Sequence, residues 1–450
     1  MQTNENITIL LDTLSLNDPI AMKKLLDNMN TVDIALFLET LPIDQAVIVF
    51  RMLTKEDALH VFSELDSDMQ QTVIESISDK EVGNIIDDLW VDDAVDMLEE
   101  MPATLVKKVL RSSSPEARNL INQYLRYSER SVGSIMTAEF VDFPKDMPVK
   151  DAIETLRQVS HIVETIYTIF ITDGTRILLG AVELKDILLS DDTKPVGDLI
   201  PSEPIYVYTS TDKEEAIRTM VKYDLISMPV VDNEHRLVGI VTVDDAVDVM
   251  IEEDTEDFER MASLVPSEKP YLKTSAFALA KNRFPWLLVS LATNIIISFV
   301  VDYYSPVYAM MPILVNFIPM LMGTGGNAGS QTSTLVIRGM AVGEIHPKNF
   351  LTVLWKEVRV CLVIGTALSI LCFGRILLTN PHEYLLAFVV SVALFSAIFV
   401  GKTTGAALPI MAKICKVDPA LMAAPLITTV VDIMSLMVYF VIARQVFSLY

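Results

Sequence analysis

Cysteine is scarce in this chain, with three in 450 residues, at 361, 372 and 415. They lie in or beside apolar segments and lack the paired spacing of a zinc site, which leaves packing as their role. The five histidines form no metal-binding or triad spacing. No activated nucleophile stands out either, so the chain is not expected to be an enzyme. The opening segment MQTNENITILLDTL has neither a basic n-region nor a long apolar core. No signal peptide is expected, and the first part should stay in the cytosol. The stretch GTGGNAGSQTST, residues 323–334, lacks the lysine that a phosphate-binding P-loop needs. Its Gly323, Gly325 and Ala328 would need a preceding strand to be a dinucleotide fingerprint, and an apolar run precedes them instead.

What the chain does have is sharply divided. Residues 1–270 hold 53 acidic and 23 basic side chains, a net of -30, while residues 271–450 hold 6 and 12, a net of +6. Mean hydropathy is nevertheless +0.40 over the whole chain. The pattern predicts an acidic soluble lobe followed by a membrane domain. Such a lobe repels nucleic acid and draws cations, and no nucleic-acid partner is expected.

Five apolar stretches are long enough to span: Phe284–Val301, Val307–Met322, Lys356–Leu378, Glu383–Ile410 and Pro419–Ala443. With a cytosolic N-terminus, an odd count places the C-terminus outside. Lys273, Lys281, Arg283, Arg338, Lys348, Lys356, Arg359, Lys402, Lys413 and Lys416 then fall on the inner side, and Arg375 and Arg444 on the outer. In the fifth stretch Asp432 is the single acid, near mid-membrane, where a carboxylate costs roughly 2.5–3.5 kcal/mol and usually faces a wet path or a partner. Thr428 and Thr429 precede it by one helical turn. Cation conduction is the expectation, against an aspartate bonded to a neighbouring helix. The glycine stretch predicts non-helical backbone lining a wet cavity, with Asn327, Ser330, Gln331 and Thr332 as neutral oxygens. A small-residue packing seam is the compatible alternative.

In the soluble part, DIALFLETLP, DQAVIVFRML, DALHVFSELD, EVGNIIDDLW and DAVDMLEEMP, starting at residues 33, 44, 57, 81 and 93, recur at about a dozen residues or its double. Each reads as an acidic first turn and a short amphipathic helix. Helices so short must stack as a solenoid. A longer repeat follows. VGSIM at 132 returns as VGDLI at 196, DAIETL at 151 as EAIRTM at 215, and LGAVELKDI parallels VGIVTVDDA. Each copy reads strand, helix, strand, strand, helix, and the pair resembles tandem CBS domains, whose clefts often take adenine nucleotides. Beyond it, Asp245, Asp248, Glu252 and Glu256 stack on one helical face. Like charges at that spacing ask for a cation or a basic surface, unless the helix is a solvated linker.

The order of parts resembles the MgtE family of magnesium channels and transporters, over nearly the whole chain. The most specific pieces are FPWLL at 284, PMLMGTGGNAGSQTSTL at 319, DPAL at 418 and PLITTVVD ending in Asp432. The resemblance implies a multidomain membrane protein: an all-α solenoid over 1–130, a CBS pair over 131–250 (131–195 and 196–250), a connecting plug helix over 251–275, and five transmembrane helices over 276–450. It implies a homodimer in the plasma (inner) membrane with cytoplasmic N-terminal domains. By the same resemblance the pore would be lined by the second and fifth helices and would hold a largely hydrated Mg²⁺ at Asp432. Gly325, Gly326, Asn327, Gln331, Thr428 and Thr429 are the lining residues it points to. Cytosolic Mg²⁺ would gate the pore by bridging Asp92 and Asp96, then Asp212, Glu214 and Asp224, and Asp245, Asp248, Glu253, Glu256 and Asp257 on the plug. ATP would occupy a cleft with Lys185, Asp186 and Leu225. The chain departs from some relatives at Ala424 and Ser330, which are asparagine there, and at Leu225, where an aromatic stacks on adenine. Transport of Co²⁺ or Mn²⁺, and a membrane-anchored nucleotide sensor that conducts nothing, are the competing readings.

Overall fold

The structure, a computed structural model, describes residues 9–11, 13–14, 18–267, 271–272, 274–422 and 424–447. Lys273 lies outside the described residues, as does the side chain of Ala424. The chain divides into two compact units, Met1–Met250 and Ile251–Tyr450.

From Pro19 to Tyr124, the described residues of the first unit form nine helices of 8 to 10 residues: α1 (Pro19–Leu26), α2 (Thr31–Thr40), α3 (Ile43–Phe50), α4 (Lys55–Ser63), α5 (Ser67–Ser76), α6 (Asp79–Asp88), α7 (Val91–Glu100), α8 (Ala103–Ser112) and α9 (Pro115–Tyr124). Local signals set their starts. Asp18, Asn30, Thr54, Asp66, Ser78 and Ser114 cap helix N-termini with their side chains, and Ser78 with Glu81 makes a full capping box. The repeat acids Asp33, Asp44, Asp57, Glu81 and Asp93 sit in first turns, where a carboxylate favours the helix dipole. Each helix is too short to stand alone. The buried residues Phe37, Val49, Phe62, Ile74, Val82, Ile86 and Val109 join one core that runs through the stack. The solenoid is as the repeat predicts.

The CBS pair follows as two copies of one unit. The first has β1 (Asp142–Pro144), α10 (Val149–Val159), β2 (Thr168–Thr172), β3 (Leu178–Glu183) and α11 (Leu184–Leu188). The second has β4 (Val207–Tyr208), α12 (Lys213–Lys222), β5 (Ser227–Val231), β6 (Leu237–Thr242) and α13 (Val243–Met261). Each sheet pairs its first two strands in parallel and its last two antiparallel, with Phe143 opposite Ile171 and Val207 opposite Val230. Even the irregularities repeat, at Ile171/Thr172 and Val230/Val231. Bridges Thr137–Ile240 and Ile177–Arg236 tie the copies together.

The second unit contains α14 (Ala276–Tyr303), α15 (Ser305–Met310), α16 (Ile318–Ala341), α17 (Phe350–Thr379), α18 (Tyr384–Ile414) and α19 (Ala424–Val446). Among the described residues, four helices are long and apolar enough to cross a membrane: α14, α17, α18 and α19, the second and fourth with their leading 3₁₀ turns. The expected second span over Val307–Met322 is not a helix. Residues 305–310 form the short α15, a 3₁₀ turn covers Pro312–Phe317, and the long helix starts at Ile318. Proline explains the boundary, because a first turn is where Pro319 costs no backbone hydrogen bond. The Tyr439 hydroxyl donates to the Leu314 carbonyl at 2.9 Å and satisfies that turn. A second correction follows: GTGGNAGSQTST is helical throughout, inside α16. A membrane interior leaves no other partner for backbone N–H groups, so the helix persists through its glycines. Those glycines serve as the packing seam. A Cβ on Gly401 would run into the Gly325 carbonyl, and one on Gly405 into that of Gly329.

The candidate ion path and cation sites

The first turn of α7 carries Asp92 and Asp93, and the first turn of α13 carries Asp245. Between them comes Glu164, from the loop after α10, held by its N–H bond to the Glu139 carbonyl at 2.9 Å. Oxygens of Asp92, Glu164 and Asp245 all lie within 4.8 Å of one another. Asp92 Oδ1 and Glu164 Oε2 are buried with no hydrogen-bond partner among the described residues. Burial, followed by the neighbouring Asp245 charge, holds Asp92 well above the usual carboxylate range. The same two causes lift Asp93 and Glu164 to about 7. Asp245 rises to about 6 by burial, although Thr242 donates to it. Three carboxylates this close, with orphaned oxygens, either share protons or hold a cation.

The sequence pointed to Asp92 and Asp245 and missed Asp93 and Glu164. Glu164 sits in an irregular loop where no periodicity marks it, and Asp93 reads as one more first-turn acid. The other expected ligands fall elsewhere. Asp96 is one turn along α7 from Asp92, and its charge bears on Asp93. Asp212 caps α12 by accepting from the N–H groups of Glu214 and Glu215. Glu214 pairs with Arg218. Asp224 takes a left-handed backbone, with φ of 53°. It lines a cavity of about 540 Å³ between the CBS copies, along with Lys185, Asp186, Leu225 and Tyr167. Lys185 Nζ is 2.6 Å from Glu183 there. On α13, Asp248 belongs to the first unit and Glu253, Glu256 and Asp257 to the second. The helix ends at Met261, well short of residue 275. Glu256 pairs with Arg260, which also donates to Asp418. The expected acidic face is therefore partly neutralised by its own helix.

In the second unit α16 packs against α19. A Cβ built on Gly326 would lie 3.2 Å from Thr428 Cγ2 and 3.5 Å from Asp432 Oδ1. That oxygen is buried and has no hydrogen-bond partner among the described residues. Glycine at 326 thus leaves room for the carboxylate. Gly325 faces away from it, toward Ser435, Val431 and the Ala397 carbonyl, and belongs to the seam. Thr429 also points elsewhere, with its hydroxyl 3.5 Å from that of Thr293 on α14. Gly323, Asn327, Gln331, Thr334 and Arg338 form an exposed stripe along α16. Polar groups on a helix at membrane depth face water or protein, not lipid. Lys402, expected on the inner side, lies inside α18 and is buried.

Residues 318–442 match the divalent cation transporter family, residues 29–130 the MgtE intracellular N domain, and residues 132–191 and 196–252 the CBS domain. The magnesium transporter MgtE of Thermus thermophilus is 32% identical over 439 residues, 97% of each chain. The magnesium transporter MgtE of Bacillus subtilis is 31% identical, over 94% of this chain and 93% of its own. The solved cytosolic domain of the Mg²⁺ channel MgtE in complex with ATP is 32% identical with a TM-score of 0.51, covering 54% of this chain and 99% of that one. The crystal structure of the soluble part of a magnesium transporter gives 26% and 0.53, covering 56% and 99%. With relatives of this identity along almost its full length, the chain belongs to the MgtE family of magnesium transporters.

Proposed function

We propose that the protein conducts Mg²⁺ passively into the cell, as a homodimer in the plasma membrane with its C-terminus outside. The carrying observation is Asp432, whose orphaned oxygen lies over Gly326. Mg²⁺ dehydrates reluctantly, so one carboxylate per subunit plus neutral oxygens from Asn327, Gln331 and Thr428 suits a hydrated ion. A divalent ion gains about 4.6 kcal/mol per 100 mV on entry, so such a pore must be gated. The Asp92–Glu164–Asp245 group supports a gate that senses cytosolic Mg²⁺. Cation binding favours the form that brings these carboxylates together, and its loss lets them repel. Asp96, Asp248, Glu253 and Asp257 extend the acidic surface on α7 and α13. Arg260 offers the mechanical link, tying the end of α13 to Asp418 just before α19.

The CBS cavity, at about 540 Å³, has the size of a small-molecule site. Its apolar wall of Leu184, Leu225, Ile226 and Pro229 fits an adenosine moiety. Glu183, Asp186, Glu203 and Asp224 surround the single Lys185, so phosphates fit there only in company with a cation. ATP bound there would bridge the two CBS copies.

Mg²⁺ uptake into proteoliposomes, wild type beside Asp432→Ala, tests the reading. The expected result is uptake in the wild type, loss in the variant, and suppression by Mg²⁺ on the cytosolic face. Intact wild-type vesicles that admit no Mg²⁺ would rule it out.

A further inference from the structure

Behind α16, on the side away from its exposed stripe, three polar side chains meet inside the protein. Thr332, fully buried, donates to Glu357 Oε2 of α17 at 2.9 Å. The same carboxylate oxygen lies 3.5 Å from Lys402 Nζ of α18, and the two charged side chains are 14% and 7% exposed. Glu357 is the eighth residue of α17 and Lys402 the nineteenth of α18, so both lie within helices and not at their ends. Taking two charges out of water inside a protein is costly and rarely incidental. A buried pair is also weak evidence for stability, since apolar residues of similar size hold helices together as well.

The seam beside this cluster supplies a reason for it. Where Gly325 and Gly329 meet Gly401 and Gly405, backbone lies on backbone, and the side chains that press on these α16 glycines, Ile427 and Val431, come from α19 and not from α18. Such a surface permits close approach but does little to fix rotation or register. Directional bonds can fix both. Thr332 supplies one pin, and Ser333 a second through its bond to the Met422 carbonyl at 3.3 Å.

We infer that Lys402, Glu357 and Thr332 are positioning residues that fix the rotation of α16, and through it how Asn327, Gln331 and Gly326 are presented to the ion. The inference rests on the transport reading above. The test is uptake of Mg²⁺ and of Co²⁺ into proteoliposomes by the full chain, per folded molecule, together with its elution profile in detergent. Thr332→Val keeps the shape and removes the hydroxyl, while Glu357→Gln combined with Lys402→Met removes both charges without stranding either. Both should elute as folded protein and lose about tenfold in Mg²⁺ uptake, the effect of 1.4 kcal/mol. Their Mg²⁺ to Co²⁺ ratio should change too. Thr332→Ser, which keeps the hydroxyl, should stay within about threefold of wild type.

Wild-type rate and ratio in both disruptive variants would overturn the inference. So would uptake that falls only in step with the amount of folded protein, with the ratio unchanged. A wild type that carries neither ion overturns the transport reading itself, and this inference with it. That result is distinct from a conducting wild type matched by its variants.

Discussion

Gly326 of α16 and Asp432 of α19 face each other so closely that a Cβ on the glycine would stand 3.5 Å from the carboxylate oxygen. The same Cβ would be 3.2 Å from Thr428 Cγ2, tight but open to adjustment. Gly326→Ala is therefore expected to fold normally and to lower Mg²⁺ uptake, and Gly326→Val to abolish it. Gly401→Ala is expected to behave differently, because its Cβ meets the Gly325 carbonyl, which cannot move aside. Overpacking of that kind costs about 1–3 kcal/mol. Thermal unfolding in detergent should show a loss for position 401 and little change for 326. A Gly326→Ala protein that melts early and conducts normally would contradict the assignment.

The cluster around Asp92 predicts a pH dependence with a definite sign. Asp93 and Glu164 titrate at about 7 and Asp245 at about 6, against ordinary values of 3.8 for Asp and 4.5 for Glu. Between about pH 4 and 7 the folded form therefore binds more protons than the unfolded one, and stability from these groups falls as pH rises through that window. In EDTA, the cytosolic part of the full chain should resist protease better at pH 5 than at pH 8. Millimolar Mg²⁺ should remove most of the difference, because the cation replaces the protons. Protection that rises with pH in EDTA would refute the arrangement.

Much of this was legible beforehand, and the parts that were not share a cause. The solenoid and the CBS pair follow from repeats, because identical local signals such as first-turn acids and caps build identical elements. Asp432 was visible as a lone acid in an apolar run. The start of α16 was hidden because hydropathy sees the apolar 307–322 and not the 3₁₀ turn that Pro312 and Pro319 impose. Glycine signalled flexibility in the sequence, whereas the bilayer and the facing glycines of α18 keep it helical. Glu164 was overlooked, and Lys402 was read only as an inner-side charge, because their meaning lies in tertiary neighbours, Asp92 and Glu357, far off in the chain.

A substitution at Glu164 would separate the proposed sensing from conduction. Glu164→Gln removes one charge from the cluster and leaves the membrane unit untouched. Without Mg²⁺ the variant should be more protease-resistant than wild type at pH 8, since repulsion among the carboxylates is relieved. Its Mg²⁺-induced gain in protection should be smaller and need several-fold more Mg²⁺. Uptake at low cytosolic Mg²⁺ should fall below the wild type, because relieved repulsion favours the compact, closed form. If the variant responds to Mg²⁺ with unchanged midpoint, Glu164 is no ligand.

Arg260 tests the proposed link between sensor and pore. Its guanidinium holds Glu256 within α13 and Asp418 at the entry to α19. Both partners are only partly exposed, so the contact is less screened than a surface pair. Arg260→Ala cuts the tie and frees Glu256 to repel its acidic neighbours on α13. If closure passes through this contact, uptake by the variant should persist at cytosolic Mg²⁺ levels that silence the wild type, with little change when Mg²⁺ is low. Asp418→Asn should act in the same direction and add little to Arg260→Ala, because one interaction cannot be lost twice. Additive effects in the double variant would mean that the two residues act on the gate separately.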